Sequence, residues 1–345
     1  MTTAHSIAIV GGGQMGLVLA DALAAAGHHA RIWGPHPERI RTLAETRRSD
    51  RLPGFRLPDA VAVTSDDARA LADADVIVNA VPTQFIRSAW ARVASGKAGN
   101  GGVAGGAPVL CVSKGLERGT RLRPTEIIAH ALGDDPATPR SMAALSGPTI
   151  AAELARHLPA TMVAASTDDT LTDLAQRLFA VEWLRIYRHD DLVGVEIAGA
   201  AKNVIALAAG MVDGLGAGDN AKSALLARGL AEIARLGVAL GARVDTFFGI
   251  AGVGDLATTC FSPCGRNRTC GERLGKGERL ADILASTSFV VEGVPTTASI
   301  RALAAERGVE MPIVEAVHAI LEGQLSPQRA IQALMGRSPK AERIG

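Results

Sequence analysis

At 345 residues, 48% of them hydrophobic and 21% charged, the chain is long enough for two domains and ordinary in composition for a globular protein. A formal charge of +1 offers polyanions no attracting field, and three Trp, one Tyr and seven Phe leave few rings to stack on bases, so nucleic acid is set aside as a partner. No uninterrupted apolar run reaches the ~18 residues needed to span a bilayer, and the start, MTTAHSIAIVGGG, lacks the basic region of a signal peptide, so a cytoplasmic protein with no membrane span is expected.

In chain order, Ser6 to Val10 (SIAIV) is a β-prone run that stops at Gly11-Gly12-Gly13-Gln14-Met15-Gly16. A helical pattern follows from Met15 to Ala26, with Gly27 as its C-terminal cap. His29 to Trp33 reads as a second strand, and Pro37 to Arg47 as a charged helix. Strand, glycine turn, helix, strand is a βαβ unit in which Gly11, Gly13 and Gly16 fall on G-x-G-x-x-G. The three glycines then permit, in turn, a tight bend, close approach to a pyrophosphate, and close helix–strand packing. The N-terminus of the helix supplies free N–H groups for the phosphates. The alternative is a left-handed turn that binds nothing.

Cofactor choice is read at the end of the second strand, where an acid would accept hydrogen bonds from the adenosine ribose. Here Trp33 is followed by Gly34, Pro35, His36, Pro37, Glu38 and Arg39, with no carboxylate at the strand tip. His36 and Arg39 suit a 2′-phosphate, which leans slightly toward NADP over NAD, or to use of both. Glu38 and Arg39 as the solvated first turn of a helix is the competing reading.

Alternation continues. Asp75 to Val81 is a continuous apolar strand of the kind a parallel sheet buries on both faces. After Pro82, Thr83-Gln84-Phe85 open a helix running to about Ala94. Ser95 to Ala107, with six glycines, reads as a flexible surface loop. Val109 to Val112 and Met142 to Leu145 are strands leading into Ser113-Lys114-Gly115-Leu116 and Ser146-Gly147-Pro148-Thr149; Ala160 to Ala165 and Leu184 to Tyr187 close the sheet. Strand C-termini line the ligand crevice of a doubly wound sheet, which places Lys114 and the Ser146–Thr149 turn on the functional edge. A surface lysine and a plain helix N-cap are the bland alternatives.

From Asp190 onward the pattern is helical: Val193–Val212, Asn220–Gly237, Arg273–Leu284, Thr296–Glu306, Ile313–Glu322 and Pro327–Leu334. The expected division is therefore a Rossmann-type, doubly wound α/β domain over 1–188 and an all-α substrate-binding and catalytic domain over 189–345. Ligands tend to bind where such halves meet. Up to Val212 the first of these helices is apolar on every side apart from Glu196, Lys202 and Asn203, and such a helix belongs in an interior. A lysine there either snorkels out or sits dry, where desolvation turns it toward a base near neutral pH.

Two more polar clusters stand out in this half. Gly249 to Leu256 is a glycine-rich turn ending in Asp255, and Ser262 to Arg268 starts a helix with cations. Arg266 at a helix N-terminus opposes the dipole, which makes sense if an anion lies between them; a capping aspartate and a solvated basic face are the alternatives. Phe289 to Pro295 is an apolar loop with one acid, Glu292. Cys260, Cys264 and Cys270 are spaced C-x3-C-x5-C with no nearby histidine, so no metal is expected and all four thiols, Cys111 included, should be reduced.

Taken together, GGGQMG, VPTQ, VSKGLE, LSGPT, GVEIAGAAKNVIALAAGMVDGLGAGDNAKSALLARGL, GVGDL, CGRNR and VVEGV, in that order, resemble the bacterial NAD(P)-dependent glycerol-3-phosphate dehydrogenases almost from end to end. The long run with its Lys-Asn pair is specific; the glycine fingerprint is not. The resemblance implies interconversion of sn-glycerol 3-phosphate and dihydroxyacetone phosphate for glycerophospholipid synthesis, with Lys202 as general acid/base. It implies substrate contacts from Lys114, Gly147, Thr149, Lys202, Asp255, Gly265, Arg266 and Asn267. Contacts to NAD or NADP would come from Gly11, Gly13, Gln14, Met15, Gly16, His36, Lys114, Ala151, Arg266, Val290 and Glu292. A homodimer is compatible with it. The chain departs from the family where Gln14-Met15 replace Ser-Trp, where Gly265 replaces a serine, and where Gly34-Pro35 follow the second strand in place of an Arg or His. These bear on cofactor preference and one phosphate hydrogen bond, not on the reaction. The rivals are a related hydroxyacid dehydrogenase such as ketopantoate reductase, whose logic asks for no Arg-Asn pair at a helix start, and a non-catalytic NAD(P) sensor, which needs no buried lysine.

Overall fold

The computed structural model describes residues 3–95, 106–339 and 341–342. It divides into two compact units, one formed by Met1–Ser113 with Pro124–Leu192 and the other by Lys114–Arg123 with Val193–Gly345. The division expected after residue 188 thus falls after 192, and Lys114, expected on the edge of the sheet, belongs to the second unit. The glycine-rich stretch expected as a loop lies, over 96–105, outside the described residues.

The first unit runs β1 (Ser6–Val10), α1 (Gln14–Ala25), β2 (His29–Trp33), α2 (Pro37–Thr46), β3 (Ala62–Thr64), α3 (Asp67–Ala70) and β4 (Val76–Asn79). A 3-10 turn (Thr83–Phe85) leads into α4 (Ile86–Ser95), then β5 (Val109–Cys111), α5 (Pro124–Leu132), β6 (Met142–Ser146), α6 (Ala151–Leu154), β7 (Ala160–Ala165), α7 (Asp169–Leu178) and β8 (Leu184–His189). The eight strands lie in the order β3-β2-β1-β4-β5-β6-β7-β8. The first six are parallel, which gives a Rossmann-type sheet whose direction of winding changes between β1 and β4. β7 and β8 pair parallel with each other but antiparallel to β6, a reversal the apolar runs did not announce. All of β4 and four of the five β1 residues are buried, as a sheet covered on both faces requires. α1 is buried from Gly16 to Leu23 and ends at Gly27, whose φ of +85° lets the His28 amide reach back to the Leu23 carbonyl.

The second unit is helical: α8 (Leu192–Gly214), α9 (Gly218–Ala239), α10 (Asp255–Phe261), α11 (Arg266–Gly275), α12 (Leu280–Ala285), α13 (Gly293–Glu306), α14 (Pro312–Leu321) and α15 (Pro327–Met335). The single helix expected over Arg273–Leu284 is two, because Gly277 at φ +90° closes α11, with the Glu278 amide bonded to the Arg273 carbonyl. α8 is long and apolar enough to cross a membrane by length and composition, with mean hydropathy 1.6. Even so, 89% of that window is buried inside the protein, which makes it a core helix. Four glycines seat α11 against α8: a Cβ on Gly210 would lie 1.9 Å from the Arg268 carbonyl oxygen, on Gly271 2.0 Å from that of Leu207, and on Gly275 2.5 Å from that of Met211; Gly214 meets Glu272 in the same way. No side chain fits that seam.

The stretch 114–123 is fastened to this unit at several points. Leu116 is fully buried in its core, the Asn203 amide donates to the Lys114 carbonyl at 3.2 Å, and the Ser299 hydroxyl donates to the Glu117 carbonyl at 3.1 Å. Arg123 meets the buried Glu196 carboxylate at 2.6 Å. Removing either member would strand a charge, a loss of about 3–5 kcal/mol. Two of the three polar residues on the apolar helix are therefore used to hold this stretch in place.

Candidate active site

In the first unit the glycine turn sits at the C-terminal tip of β1. Gly11 has φ +118°, and a Cβ there would come within 2.7 Å of the Ala80 carbonyl oxygen; one on Gly16 would come within 2.0 Å of the Gly11 carbonyl oxygen. These two glycines are required by the turn itself. Gly13 differs: it has ordinary extended backbone, and a Cβ built on it meets no atom within 4 Å. A side chain at Gly13 would enter only the space beside the start of α1, where the unpaired N–H groups and positive dipole end favour a phosphate. The donor set and this shape fit a dinucleotide pyrophosphate. Gln14 opens α1 and donates its side-chain amide to the Arg51 carbonyl at 2.6 Å, while Met15 packs partly against the core. His36, exposed, occupies the N-cap position of α2 without a capping bond. Gly147 (φ +147°) and Thr149, whose hydroxyl donates to the Gly147 carbonyl at 3.1 Å, follow β6. The plain N-cap weighed as the alternative for this turn is not formed: α6 begins at Ala151 after Ile150, with no side-chain cap.

In the second unit α8, α10 and the 114–123 stretch deliver a compact charged cluster. A π-helical turn, Ile250–Gly254, brings the chain into α10 with Asp255 as its first residue. Asp255 is not a capping residue. One carboxylate oxygen is bonded to Lys202 Nζ and the other to Lys114 Nζ at 2.6 Å. The Thr259 hydroxyl, one helical turn on, accepts from Lys202 Nζ at 2.7 Å and donates to the Asp255 carbonyl at 2.7 Å. Lys202 is 7% exposed and Asp255 2%, so the snorkelling alternative does not apply. Burial drives the Lys202 pKa down to about 8; Asp255 pulls it back up in part and Lys114 pushes it down further. Burial acts to raise the Asp255 pKa, but its two lysine neighbours prevail and hold it below the usual carboxylate range. The result is an amine poised near neutrality beside a fixed carboxylate.

A chain of amides extends from this cluster. Asn203, next to Lys202, donates to the Lys114 carbonyl and accepts from Asn267 Nδ2 at 2.9 Å; Asn267 Oδ1 accepts from the Gly293 amide at 2.9 Å. A Cβ on Gly293 would strike both the Asn203 carbonyl and Asn267 Oδ1. Asn267 is thus buried and spent on the fold at both ends of its side chain, so what it offers an anion is its backbone N–H in the first turn of α11. Gly265 is the N-cap of that helix, with no side-chain bond, and Arg266 is exposed at its first position. Val290 is half-buried, and Glu292 occupies the N-cap position of α13. Lys114, Lys202 and Asp255 therefore come together, with Asn267 linked through Asn203. Gly11, Gly13, Gln14, Met15, Gly16, His36, Gly147, Thr149 and Ala151 belong to the first unit. Reasoning from sequence missed Thr259 and Gly293; the i, i+4 spacing of Asp255 and Thr259 on one helix was the available signal for the former. Among the described residues no three His, Cys, Asp or Glu side chains group to hold a metal.

A Rossmann-type sheet with a glycine turn at the tip of its first strand, together with a helical unit that buries a lysine, marks the class of the nicotinamide-dependent dehydrogenases. Comparison with known proteins narrows the class. The model of the NAD-dependent glycerol-3-phosphate dehydrogenase N-terminus matches residues 6–172, and that of its C-terminus residues 191–332. The glycerol-3-phosphate dehydrogenase [NAD(P)+] of Geobacillus kaustophilus is 44% identical over 98% of this chain and 96% of its own length; that of Thermobifida fusca is 44% identical over 98% and 99%. The crystal structure of glycerol-3-phosphate dehydrogenase from Coxiella burnetii superposes with a TM-score of 0.88 at 33% identity, covering 97% of this chain and 99% of that one. The chain belongs to the NAD-dependent glycerol-3-phosphate dehydrogenase family.

Proposed function

We propose that the protein interconverts sn-glycerol 3-phosphate and dihydroxyacetone phosphate with NAD(P), Lys202 carrying the proton of the middle carbon's oxygen. The observation behind this reading is the buried Lys202, pKa about 8, held by Asp255 and Thr259. The bound nicotinamide supplies hydride exchange with that carbon. In oxidation the neutral amine takes the hydroxyl proton as the hydride leaves; in reduction the ammonium returns it to the carbonyl oxygen. Asp255 orients Nζ and balances the two lysines. Lys114, Arg266 and the first-turn N–H groups of α11 hold the substrate phosphate, with Gly147 and Thr149 beside the substrate, and so orient the reacting carbon by a remote contact. Gly11, Gly13, Gln14, Met15, Gly16 and His36 serve the dinucleotide, helped by Ala151, Arg266, Val290 and Glu292. All four cysteines are free thiols, which suits a reducing cytoplasm. The product would feed glycerophospholipid synthesis.

A substrate screen following loss of reduced-nicotinamide absorbance tests this reading. Dihydroxyacetone phosphate should be reduced, and unphosphorylated dihydroxyacetone should fall at least ~100-fold lower in kcat/KM, the scale of two charge-assisted contacts. Equal rates on both would remove the phosphate assignment, and preference for a branched keto acid would favour the ketopantoate reductase rival.

A further inference from the structure

In the second unit the end of α8, the start of α9, the end of α10 and the start of α11 are joined around one buried ion pair that the chemistry at Lys202 does not use. Lys222, in the second turn of α9, is 5% exposed, and its Nζ donates to both oxygens of Asp213, near the end of α8, at 2.9 and 2.8 Å. Asp213 also receives the Arg268 guanidinium from α11, whose Nε stands 2.6 Å from Oδ2. The Lys222 ammonium lies 4.8 Å from the centroid of the Phe261 ring, and Phe261 is the last residue of α10. A buried ammonium is tolerated where other groups replace its water; here a carboxylate and a ring face do so.

Phe261 and Arg268 bracket the connection that delivers the start of α11. Residues 262–265 form a tight turn in which the Cys264 amide donates to the Ser262 hydroxyl and the Gly265 amide to the Ser262 carbonyl, each at 3.2 Å. Gly265 has little slack: a Cβ there would lie 3.1 Å from the Thr259 carbonyl oxygen and 3.3 Å from that of Ser262. The turn is stiff in itself, so where it points is decided at its two ends, and both ends rest on the Lys222–Asp213 pair. The glycine seam between α8 and α11 cannot fix this. A seam without side chains sets how closely two helices approach but has few ridges to stop one sliding along the other. Two polar links resist that motion, Asn203 with Asn267 and Asp213 with Arg268. The second is the one anchored from α9, by Lys222.

We propose that Lys222, acting through Asp213 and Phe261, is a positioning residue for the substrate phosphate: it holds the 262–265 turn, and with it Arg266 and the first-turn N–H groups of α11, in register. This rests on the reading of α11 as the phosphate-binding helix given above. Charge-assisted contacts weaken steeply over a displacement of about 1 Å, so loosening the turn reduces affinity for the phosphate end of the substrate. Proton transfer is spared, because Lys202 is held separately by Asp255 and Thr259 in the first turns of α10.

Steady-state kinetics of the purified protein with NADPH compare the wild type with Lys222→Met, which keeps most of the stem, removes the ammonium and leaves Asp213 paired with Arg268. The KM for dihydroxyacetone phosphate should rise about 10-fold, the scale of one charge-assisted contact, while kcat, NADPH affinity and kcat/KM for unphosphorylated dihydroxyacetone each stay within about 2-fold. Lys222→Arg should recover most of the loss, since a guanidinium meets both a carboxylate and a ring face. Phe261→Leu, at a half-exposed side chain, should raise the same KM about 3-fold and serves as the test should Lys222→Met fail to fold. An unchanged KM for dihydroxyacetone phosphate in the folded variant, or equal losses on the phosphorylated and unphosphorylated substrates, would mean that Lys222 only supports the fold, and overturns the proposal. A wild type that reduces both substrates equally well would instead overturn the phosphate reading of α11 itself.

Discussion

The glycine turn of the first unit and the lysine cluster of the second are sites of opposite construction. The turn is made of backbone, and its chemistry depends on what is missing: Gly13 adds nothing to the space in front of α1, while Gly11 and Gly16 let chain segments touch. The lysine cluster is made of side chains that arrive from positions 114, 202, 255 and 259, separated by up to 141 residues between hydrogen-bonded partners, and it exists only once the unit has packed. One site is local and tolerant of what surrounds it; the other is a product of tertiary structure. The same contrast appears within a single residue type. Gly13 leaves open a space that no protein atom fills, whereas Gly210, Gly214, Gly271 and Gly275 make room for another helix and thereby set where α11 lies.

Removing the amine tests the second kind of site most severely. Lys202→Ala should lower turnover ~100-fold or more, the scale of acid–base catalysis, with dinucleotide affinity nearly unchanged. The direction with pH follows from a pKa of about 8. Below it the ammonium dominates and serves reduction; above it the neutral amine serves oxidation. In the wild type, kcat for glycerol 3-phosphate oxidation should rise with pH through about 8, and the reduction of dihydroxyacetone phosphate should fall over the same range. Lys202→Ala should lose this inflection in both directions. Steady-state rates from about pH 6 to 10, roughly two pH units either side of the lysine, read both effects, and a variant within a few-fold of wild type would take Lys202 out of the chemistry.

The first kind of site separates binding from folding. Gly13→Ala places a methyl where no protein atom stands, on backbone that alanine adopts readily. The protein should fold as the wild type does and bind dinucleotide about 10-fold or more weakly, because the methyl occupies the pyrophosphate's approach. Gly16→Ala puts the same methyl 2.0 Å from the Gly11 carbonyl oxygen, so the turn or α1 must shift. It should cost stability, on the scale of a few kcal/mol for overpacking. Thermal unfolding with and without NADPH distinguishes the two. Equal loss of stability in both variants would mean that the open side of Gly13 is not where the cofactor lies.

This difference in construction also decides what was legible in advance. G-x-G-x-x-G after SIAIV could be read because its determinants are neighbours in sequence and follow from backbone geometry alone. The helical second half could be read from period and length, and α8 from being apolar all round. The reversal of β7 and β8 could not, since a run such as ATMVAA carries no mark of its direction. Nor could the transfer of 114–123 to the second unit, which rests on Arg123 meeting Glu196 and Ser299 meeting the Glu117 backbone, contacts between residues far apart in the chain. Lys202 on its apolar helix, Lys114 after a strand, Asp255 at the end of a glycine-rich turn and Asn267 in a cationic helix start stood out by position, and family resemblance supplied their roles. That Asn267 spends its side chain on Asn203 and Gly293, and that Thr259 completes the lysine's partners, required the packed unit.

Asp255 has a counterpart in the same unit that behaves in the opposite way, and it yields the smallest of the expected effects. Glu232, on α9, is 4% exposed and caps α14 from outside: its carboxylate accepts from the Ile313 amide at 2.8 Å and the Val314 amide at 3.4 Å, and Met311 at the helix's own N-cap position makes no side-chain bond. Burial pushes the pKa up from 4.5 to about 7; the two backbone amides and the nearby Arg235 and Arg228 oppose it without overcoming it. Two lysines in contact reverse that outcome for Asp255; two amides do not. Because the folded pKa lies above the unfolded one, the group's stabilising contribution is present in full below pH 4.5 and is lost as pH rises through about 7. The upper bound on that loss is about 3 kcal/mol. Glu232→Gln keeps an acceptor for the α14 amides without the titration. The wild type should therefore lose a few degrees of Tm more than the variant between about pH 5 and pH 8. A Tm difference between the two proteins that does not change with pH would show that this carboxyl stays in one protonation state across the interval, and that capping by two amides suffices to keep it charged.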